Sequence, residues 1–420
     1  MLPPSPSQGP RSTARSIWNT EKEVEQANTM SKKKGKVEEK VLFGKPKNNV
    51  TIGLVGLPNV GKSSTFNLLG KLQVPAENYP FCTIDPSVTS VVVPDERFDH
   101  LVELWKPKNE IQAVLAVTDI AGLVKGAAEG KGLGNEFLSN IAAVDAIYHV
   151  VRKFPGKKVE HVEGDLDPTR DLSIIRTELQ KKDTERAKGA LDAEQKKIRS
   201  RKPNKEEEMK LGALQKVIDC LEAGQDVRFG EWLSKEVVYL NQFNFLTAKP
   251  VVYLVNIGKK AFKEGKGPGK KIAKWVEENT PGEPIIGYSA KYEEAFAKLE
   301  PEKKAKLQKK GIGSVIPQII WAGYRALNLI HFFTTGKDEV RAWSIRKGKK
   351  APQAAGVIHG DFEKHFIKAD CYNFESLKEC GNEAAVKAAG KLRGQGKEYV
   401  VSDGDIMFFH HNAGGPGKKK

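Results

Sequence analysis

The chain has 420 residues, too many for one ordinary domain, so we expect two or three domains that each bury a core. Its formal net charge of +16, from 69 Lys and Arg against 53 Asp and Glu, favours polyanionic partners such as RNA, although lysine-rich tails and solvated helix faces explain the excess equally well. No apolar run reaches the ~18 residues of a transmembrane helix, and the four scattered cysteines form no disulfide framework. The composition therefore argues against membrane and secreted proteins and favours a reduced, cytoplasmic location.

Residues 1–49 are rich in Ser, Pro and Lys and lack apolar periodicity, so they are predicted to form a disordered basic arm. The segment has no apolar signal-peptide core, and its acidic residues Glu21, Glu23 and Glu25 argue against a transit peptide. Met30, which is followed by Ser-Lys-Lys-Lys, could equally be the natural start.

The stretch from Val50 to Gly70 reads VTIGLVGLPNVGKSSTFNLLG, which predicts a strand, a glycine loop and an amphipathic helix. The loop fits G-x-x-x-x-G-K-S/T, a pattern in which backbone N–H groups and a helix N-terminus converge on phosphate oxygens. In that pattern Lys62 supplies a cation for the β- and γ-phosphates, and the Ser63 hydroxyl is a magnesium ligand. The sequence therefore predicts a nucleotide site with magnesium.

Two further segments resemble the switches of a P-loop nucleotidase. Thr83 lies in VPAENYPFCTIDP and is the candidate hydroxyl for magnesium and the γ-phosphate. Ile111 to Ile120 is predicted to be one buried strand that delivers Asp119 at its C-terminal end, with Gly122 just beyond. Because strand C-termini face the ligand crevice of a parallel sheet, Asp119 can hold magnesium through water and the Gly122 N–H can sense the γ-phosphate.

The residue after Gly122 is Leu123, where many GTPases carry the glutamine that orients the attacking water. A leucine cannot hydrogen-bond water, so another group must position it. The glycine-rich stretch from Lys125 to Phe137 reads as a mobile second switch. His161 lies beyond it and is a candidate for that role, although a lone loop histidine is more often a surface residue.

From Asp167 to about Lys235 the chain is charged and helical, with apolar stripes on both sides of a turn at Arg199 to Asn204. Two antiparallel helices, a small coiled-coil arm, are expected. The lysines of this arm could contact RNA, although a solvated coiled-coil face is the commoner explanation.

A second apolar strand, Pro250 to Val255, ends at Asn256, where a nucleotidase of this class reads its base. Guanine selectivity normally comes from N-K-x-D, but here the fourth residue is Lys259, so no carboxylate accepts from the guanine N1 and N2 donors. The string Asn204-Lys205-Glu206-Glu207 lies in the charged arm and is interpreted as a chance match. Ser289-Ala290-Lys291, whose backbone could cover the base, also occurs in guanine binders and supports a GTPase.

An apolar helix from Val315 to Leu329 leads to the last segment. That segment predicts a hairpin-like strand pair from Phe332 to Ile345, a small helix near Ala384 to Leu392 and a final strand after the Asp403-Gly404 turn. Strands wrapped around one helix are typical of a small α+β β-grasp domain.

Seven motifs stand in order along the chain: GLPNVGKSS, NYPFCTIDP, DIAGLVKGA, HVEG, VRAW, APQAAGVIH and DGDIMFF. With them, from about Val50 to Asn412, the chain resembles the Obg-like ATPases, the YchF subfamily of the Obg-type P-loop nucleotidases. The resemblance implies a Ras-like α/β nucleotidase domain with an inserted helical arm and a C-terminal β-grasp domain of the TGS type. It also implies ATP hydrolysis in preference to GTP, ribosome association and a role in translation or stress regulation.

The expected domain boundaries follow from this resemblance and from the shifts in composition. They are 1–49 for the basic arm, 50–166 with 236–330 for the nucleotide-binding domain, 167–235 for the coiled-coil insertion, 331–413 for the TGS domain and 414–420 for a basic tail.

The resemblance also implies site residues. The nucleotide loop of the family falls on Asn59, Val60, Gly61, Lys62, Ser63 and Ser64. Its magnesium ligands fall on Ser63 and Thr83, and its adenine contacts on Asn256 and Ile257. Asn59 matches a loop asparagine that holds a potassium ion in related enzymes, and His161 matches a histidine that is the natural substitute for the missing glutamine. The family usually has Glu where this chain has Lys259.

The sequence therefore predicts a magnesium-dependent ATPase that binds the ribosome, either the large subunit or the whole particle, and RNA. Lys62, Thr83, Asp119, Gly122 and His161 are its predicted catalytic residues, and Ser289 and Ala290 complete the nucleotide site. Two alternatives stay open at this point. One is a GTPase of ribosome assembly, in which the Ser289 segment dominates base choice, and the other is an RNA-binding scaffold with a regulatory nucleotide site.

Overall fold

The computed structural model describes residues 43–44, 50–72, 88–120, 134–155 and 164–412. The predicted basic arm and basic tail lie outside these ranges, apart from Phe43 and Gly44. The strands of the described residues are β1 (Thr51–Val55), β2 (Val88–Val92), β3 (Asn109–Ile111), β4 (Val114–Asp119), β5 (Ala146–Lys153), β6 (Val251–Ile257), β7 (Ile285–Tyr288), β8 (Leu329–Thr334), β9 (Glu339–Arg346), β10 (Phe366–Asn373), β11 (Arg393–Gln395) and β12 (Asp405–His411).

Helices connect most of these strands. They are α1 (Lys62–Gly70), α2 (Glu96–Trp105), α3 (Gly134–Ala143), α4 (Pro168–Lys197), α5 (Lys205–Glu222), α6 (Ser234–Leu240), α7 (Lys259–Lys263), α8 (Lys270–Asn279), α9 (Ala290–Ala297), α10 (Pro301–Lys309), α11 (Ile316–Ala326), α12 (Ala351–Ile358), α13 (Gly360–Lys364), α14 (Phe374–Cys380) and α15 (Glu383–Ala388). None of the helices in the described ranges is long and apolar enough to cross a bilayer.

The first sheet has the order β2-β4-β1-β5-β6-β7. The β2–β4 pair is antiparallel and the other neighbouring pairs are parallel. All seven residues of β6 are buried, because strands in the middle of such a sheet are covered on both faces and need a continuous apolar run. The parallel strands bring the ends of β1, β4, β5 and β6 to the same edge, where the phosphate loop begins.

The predicted arm consists of two long helices, α4 and α5, which pack against each other. Their shared core contains Ala187, Leu214, Val217 and Ile218. Asn204, the first residue of the N-K-E-E string, caps α5. Its side chain accepts from the Glu207 N–H, and Glu207 accepts from the Asn204 N–H, which is a capping box. The string therefore has a local structural role in the arm.

The second sheet has the order β11-β10-β12-β8-β9-β3. Strands β8 and β9 form the predicted antiparallel hairpin, and β12 lies parallel to β8. The prediction of a single helix in this segment was wrong, because the short helices α12, α13, α14 and α15 all lie within it. Helices α12 and α14 pack against β10.

The sequence predicted one strand from Ile111 to Ile120, but the strand that ends at Asp119, β4, begins only at Val114. Only β4 joins the nucleotide-binding sheet, whereas β3 pairs in parallel with β9 of the second sheet. The chain therefore passes from the second sheet to the first between Ile111, the last residue of β3, and Val114, the first residue of β4.

A buried polar cluster reinforces this link. Asp95 caps α2 and lies 2.5 Å from the Nε2 atom of the fully buried His331 on β8. Arg97 donates to Asp95 and to Asp403, which precedes β12. Burial opposes ionisation of Asp95, but the hydrogen bonds with His331 and Arg97 outweigh it and hold the pKa of Asp95 well below its usual range.

Candidate nucleotide-binding site

The phosphate loop joins β1 to α1 and depends on two glycines. A Cβ atom on Gly56 would lie 2.5 Å from the carbonyl oxygen of Val150, so no side chain fits between β1 and β5. Gly61 has a φ of 102°, and a Cβ atom there would lie 2.5 Å from Asn256 Nδ2. Both glycines of the motif are therefore required by close packing of the loop as well as by the approach of phosphate.

Lys62 is the first residue of α1 and its side chain is buried. Its ammonium donates to the carbonyl oxygens of Gly56 at 3.1 Å and Leu57 at 3.0 Å. Burial lowers the pKa of Lys62, and the charge of Asp119 partly opposes that shift. The ammonium is thus held over the mouth of its own loop, where it can exchange carbonyl partners for phosphate oxygens.

Ser63 and Asp119 meet at the predicted magnesium site. The Ser63 hydroxyl donates to Asp119 Oδ2 at 3.3 Å, and Asp119 is the last residue of β4. The other carboxylate oxygen, Oδ1, is buried and has no hydrogen-bond partner within the described residues. Burial raises the pKa of Asp119, against the opposing effects of Lys62 and Ser63. An oxygen that is buried and unpaired next to a hydroxyl is the donor set that a hydrated magnesium ion prefers, so these residues fit the ion.

The side chain of Asn256 bridges the phosphate loop and the base-reading segment. It is only 4% exposed, donates from Nδ2 to the Val60 carbonyl at 3.1 Å and accepts at Oδ1 from the Ala290 N–H at 3.1 Å. The predicted adenine contact of Asn256 therefore has to coexist with two hydrogen bonds inside the protein. The neighbouring Ile257 is also buried.

A second bridge runs from β7 to the loop and was not predicted from the sequence. Tyr288 is fully buried, and its hydroxyl lies 2.5 Å from Thr65 Oγ1. The Thr65 hydroxyl in turn donates to the Gly61 carbonyl at 2.8 Å. Tyr288 directly precedes the Ser-Ala-Lys string. Its position next to that string was the only signal in the sequence that could have found it. A tyrosine at the end of a strand is in general typical of a core residue.

The Ser289-Ala290-Lys291 string divides into inward and outward residues. Ser289 is completely buried, and its hydroxyl has no hydrogen-bond partner within the described ranges. Ala290 is buried and uses its N–H on Asn256, whereas Lys291 is exposed. Ser289 therefore carries a buried hydroxyl whose partner is not among the described residues.

Lys259 occupies the place of the expected carboxylate and is the first residue of α7. It is partly exposed. A positive charge at a helix N-terminus opposes the helix dipole, so the position does not favour lysine for local reasons.

The remaining predicted loop residues are spread around the phosphate site. Val60 is buried, Ser64 is partly buried, and Asn59 is exposed with a left-handed φ of 61°. The other predicted catalytic residues, Thr83, Gly122 and His161, lie outside the described residues, as does Leu123. The structure therefore brings together Lys62, Ser63 and Asp119 at the phosphate end.

Chemically, this arrangement holds a polyphosphate. It offers backbone N–H groups at the start of α1, one ammonium, one hydroxyl and one carboxylate at the end of parallel strands. At the base end, the amide of Asn256 is already hydrogen-bonded within the protein, the Ser289 hydroxyl is buried, and Lys259 stands where an acid is expected.

Comparisons with known proteins agree with this geometry. A family model described as a 50S ribosome-binding GTPase matches residues 51–187, and the YchF-GTPase_C model, described as a protein of unknown function, matches residues 329–412. The chain is 51% identical over 391 residues to Obg-like ATPase 1 of Oryza sativa subsp. japonica, which covers 93% of the chain and 99% of that protein. It is 49% identical over 383 residues to Obg-like ATPase 1 of Homo sapiens, which covers 90% of the chain and 96% of that protein.

Among solved structures, the chain is similar to the Schizosaccharomyces pombe YchF GTPase. The TM-score is 0.80 and the identity 48%, with 88% of this chain and all (100%) of that chain covered.

Proposed function

The chain belongs to the YchF family of Obg-like ATPases and is a P-loop nucleoside triphosphate hydrolase, and from this premise we propose that it is a magnesium-dependent ATPase that associates with the ribosome. The observation that carries the hydrolase is the convergence of Lys62, Ser63 and Asp119 on one loop. The observation that carries ATP is Lys259, which leaves guanine N1 and N2 without a carboxylate acceptor.

In the proposed mechanism the side chains of the loop position the triphosphate. Lys62 exchanges its bonds with the Gly56 and Leu57 carbonyls for bonds to β- and γ-phosphate oxygens. The Ser63 hydroxyl and, through water, the unpaired Asp119 carboxylate oxygen would hold magnesium. When bound, that ion neutralises charge that develops on the phosphate oxygens. The backbone N–H groups at the start of α1 fix the orientation of the phosphates.

The proposed switch comprises the predicted Thr83 and Gly122. ATP orders the segments that carry them through the γ-phosphate, and hydrolysis releases those segments. His161 is proposed to orient the attacking water in place of the missing glutamine, because Leu123 cannot do so. Asn59 is the proposed ligand of a potassium ion, and its exposed, left-handed position at the loop supports that role.

Adenine selectivity in this proposal rests on what the base end lacks. The side chain of Asn256 bonds the Val60 carbonyl and the Ala290 N–H, and these bonds hold the base-reading segment in place. That segment has no acidic side chain at Lys259 to pair with guanine. Asn256, Ile257, Ser289 and Ala290 are the proposed lining of the base site.

Ribosome association, RNA as a partner, a cytoplasmic location and regulation of translation or of a stress response complete the proposal. The net charge of +16 supports a polyanionic partner. The description of the matched family model, a 50S ribosome-binding GTPase, supports the ribosome in particular.

The test is turnover of ATP and GTP by the full chain, measured as phosphate release with and without magnesium, beside the Lys62→Ala variant. We expect ATP hydrolysis that stops when EDTA removes magnesium and that falls by at least about a hundredfold in Lys62→Ala, since Lys62 contributes charge-assisted bonds to the phosphates. Preferential turnover of GTP would overturn the choice of nucleotide. Magnesium-independent turnover would overturn the mechanism.

A further inference from the structure

The positive charge of the folded chain is concentrated beside the base end of the nucleotide site. Residues 259–310, which include α7, α8, α9 and α10, contain 14 Lys and no Arg against 8 Glu and no Asp. Two of these glutamates turn inward. Glu293 bonds Ser314 and the Val315 N–H, and Glu283 lies 2.9 Å from Arg228. The outward surface of this segment is therefore more basic than its composition suggests.

The coiled-coil arm pairs a larger share of its lysines with carboxylates than this segment does. In the arm, Lys182, Lys188 and Lys197 each lie 2.8 Å from a glutamate carboxylate. In the segment 259–310, the lysines that pair with a described carboxylate are Lys266, with Glu264, and Lys274, with Glu278. The exposed Lys260, Lys263 and Lys309 form no ion pair with another described residue.

Tyr292 connects the two helices that carry these unpaired lysines. The ring of Phe262 in α7 packs on that of Tyr292 in α9, with centroids 4.8 Å apart. The Tyr292 hydroxyl donates to the Ile312 carbonyl, in the turn that follows α10, at 2.5 Å. Helix α7 and the end of α10 therefore lie on either side of the same tyrosine.

We propose that this surface, defined by the exposed lysines of α7 and α10, binds the phosphate backbone of RNA. The inference rests on the proposed ribosome association and names the part of the chain that makes the contact. An unpaired surface lysine releases a counterion when it meets a phosphate, whereas a paired lysine must first give up its glutamate. The paired lysines of the arm are therefore poorer candidates than the unpaired lysines of α7 and α10.

The chemistry also sets the kind of recognition. Lysine is a flexible point charge, and the segment has no arginine with which to read guanine edges bidentately. We therefore expect binding that depends strongly on salt and weakly on RNA sequence. Because α7 starts three residues after Asn256, the contact lies next to the base-reading segment.

The experiment compares two variants of the full chain with the same change in formal charge. Each replaces three lysines by glutamine: Lys260, Lys263 and Lys309 in the surface variant, and Lys182, Lys188 and Lys197 in the arm variant. The dissociation constant for a fluorescently labelled RNA hairpin is measured by anisotropy over a series of KCl concentrations. Circular dichroism and ATP turnover check that both variants are folded.

We expect the surface variant to bind the hairpin about tenfold more weakly and to lower the slope of log K against log[salt] by roughly one for each phosphate that is no longer neutralised. The arm variant should bind within about threefold of the wild type, because its lysines are already paired. Equal weakening of both variants would overturn the inference, since net charge alone would then explain binding. Absence of hairpin binding by the wild type would overturn the inference as well. Displacement of the hairpin by polyglutamate at equal charge would also overturn it, because it would indicate an acidic protein partner.

Co-sedimentation with ribosomes separates this inference from the proposed function. If the wild type and the surface variant sediment equally well with ribosomes in ATP, the proposed function stands and the inferred surface is wrong. If the wild type does not sediment with ribosomes at all, the proposed partner is wrong, and the inferred surface fails with the function on which it rests.

Discussion

The two ends of the nucleotide site are built in different ways. At the phosphate end, backbone geometry dominates: Gly56 and Gly61 allow close packing, and Lys62 is held by loop carbonyls. At the base end, side chains decide, and the amide of Asn256 is already used to tie the two ends together. Lys259 then replaces the acid that would select guanine.

This difference explains why the two ends carry different information. A loop made of backbone N–H groups binds any triphosphate, so its motif reveals phosphate binding but not the base. Base choice depends on single side chains, and the proposed preference for ATP rests on one of them, Lys259. The hydrogen bonds of Asn256 and Tyr288 connect the phosphate end directly to the base end.

The largest expected effect is that of Gly61→Ala, which acts on both ends at once. The new Cβ would lie 2.5 Å from Asn256 Nδ2, in a backbone conformation with a φ of 102°. We expect a loss of ~1–2 kcal/mol of stability from the left-handed conformation alone. ATP affinity in calorimetry should fall by at least about a hundredfold, because displaced amides lose charge-assisted bonds. Gly258→Ala is the control, since that glycine has a negative φ and a Cβ there would only come into ordinary contact with Pro155; equal losses in the two variants would refute the role of Gly61.

Asn256→Ala tests the connection between the ends. It orphans the Ala290 N–H and the Val60 carbonyl, at ~1–3 kcal/mol for each buried group. We expect about thirtyfold weaker binding of ATP and of GTP alike, equivalent to ~2 kcal/mol. Asn256→Asp keeps the acceptor for Ala290 but places a buried carboxylate oxygen against the Val60 carbonyl and near the triphosphate, so it should bind nucleotide at least as weakly as Asn256→Ala. A loss confined to ATP would mean that Asn256 acts on the base directly.

Lys259→Asp tests the base end alone. It restores the carboxylate of N-K-x-D, which accepts from guanine N1 and N2, so GTP affinity in calorimetry should rise about tenfold. Lys259→Ala supplies no acceptor and should leave the ATP to GTP ratio within about threefold of the wild type. Loss of ATP preference in Lys259→Ala would show that the lysine itself selects adenine.

Tyr288→Phe should have the smallest effect. The change removes the hydrogen bond to Thr65 but keeps the ring, at a cost of ~0.5–1.5 kcal/mol. We expect ATP affinity to fall about threefold, as the Gly61 carbonyl loses part of its support. Tyr253→Phe is the matched control: Tyr253 lies on β6 of the same sheet, and its hydroxyl accepts from Thr280, which follows α8 and not the phosphate loop. The control should lower the melting temperature without changing ATP affinity. If ATP affinity changes in both variants, Tyr288 affects binding only through the general stability of the protein.

The predicted strand and helix on either side of the phosphate loop are confirmed, because the signal for them is contiguous. Strand, loop and helix lie within about twenty residues of Val50, and local rules determine each of them. The bridges could not be predicted, because Asn256 and Val60 are 196 residues apart and Tyr288 and Thr65 are 223 apart. Only the parallel order of the strands brings them together.

Local patterns were also misleading where tertiary pairing decides. The run from Ile111 to Ile120 predicted one strand, but its first residue, Ile111, belongs to β3, which pairs with β9 of the second sheet. An isolated three-residue strand carries too few side chains to indicate which sheet it will join. The polar link of Asp95 and Arg97 with His331 could likewise not be predicted, since His331 lies 236 residues beyond Asp95. The TGS assignment of the last segment stays a prediction.

Isothermal titration calorimetry of the wild-type chain with non-hydrolysable ATP and GTP analogues, in the presence of magnesium, tests the central claim most directly. The absence of a carboxylate at Lys259 predicts that the ATP analogue binds more tightly. Tighter binding of the GTP analogue by about tenfold or more, equivalent to ~1.4 kcal/mol, would contradict it.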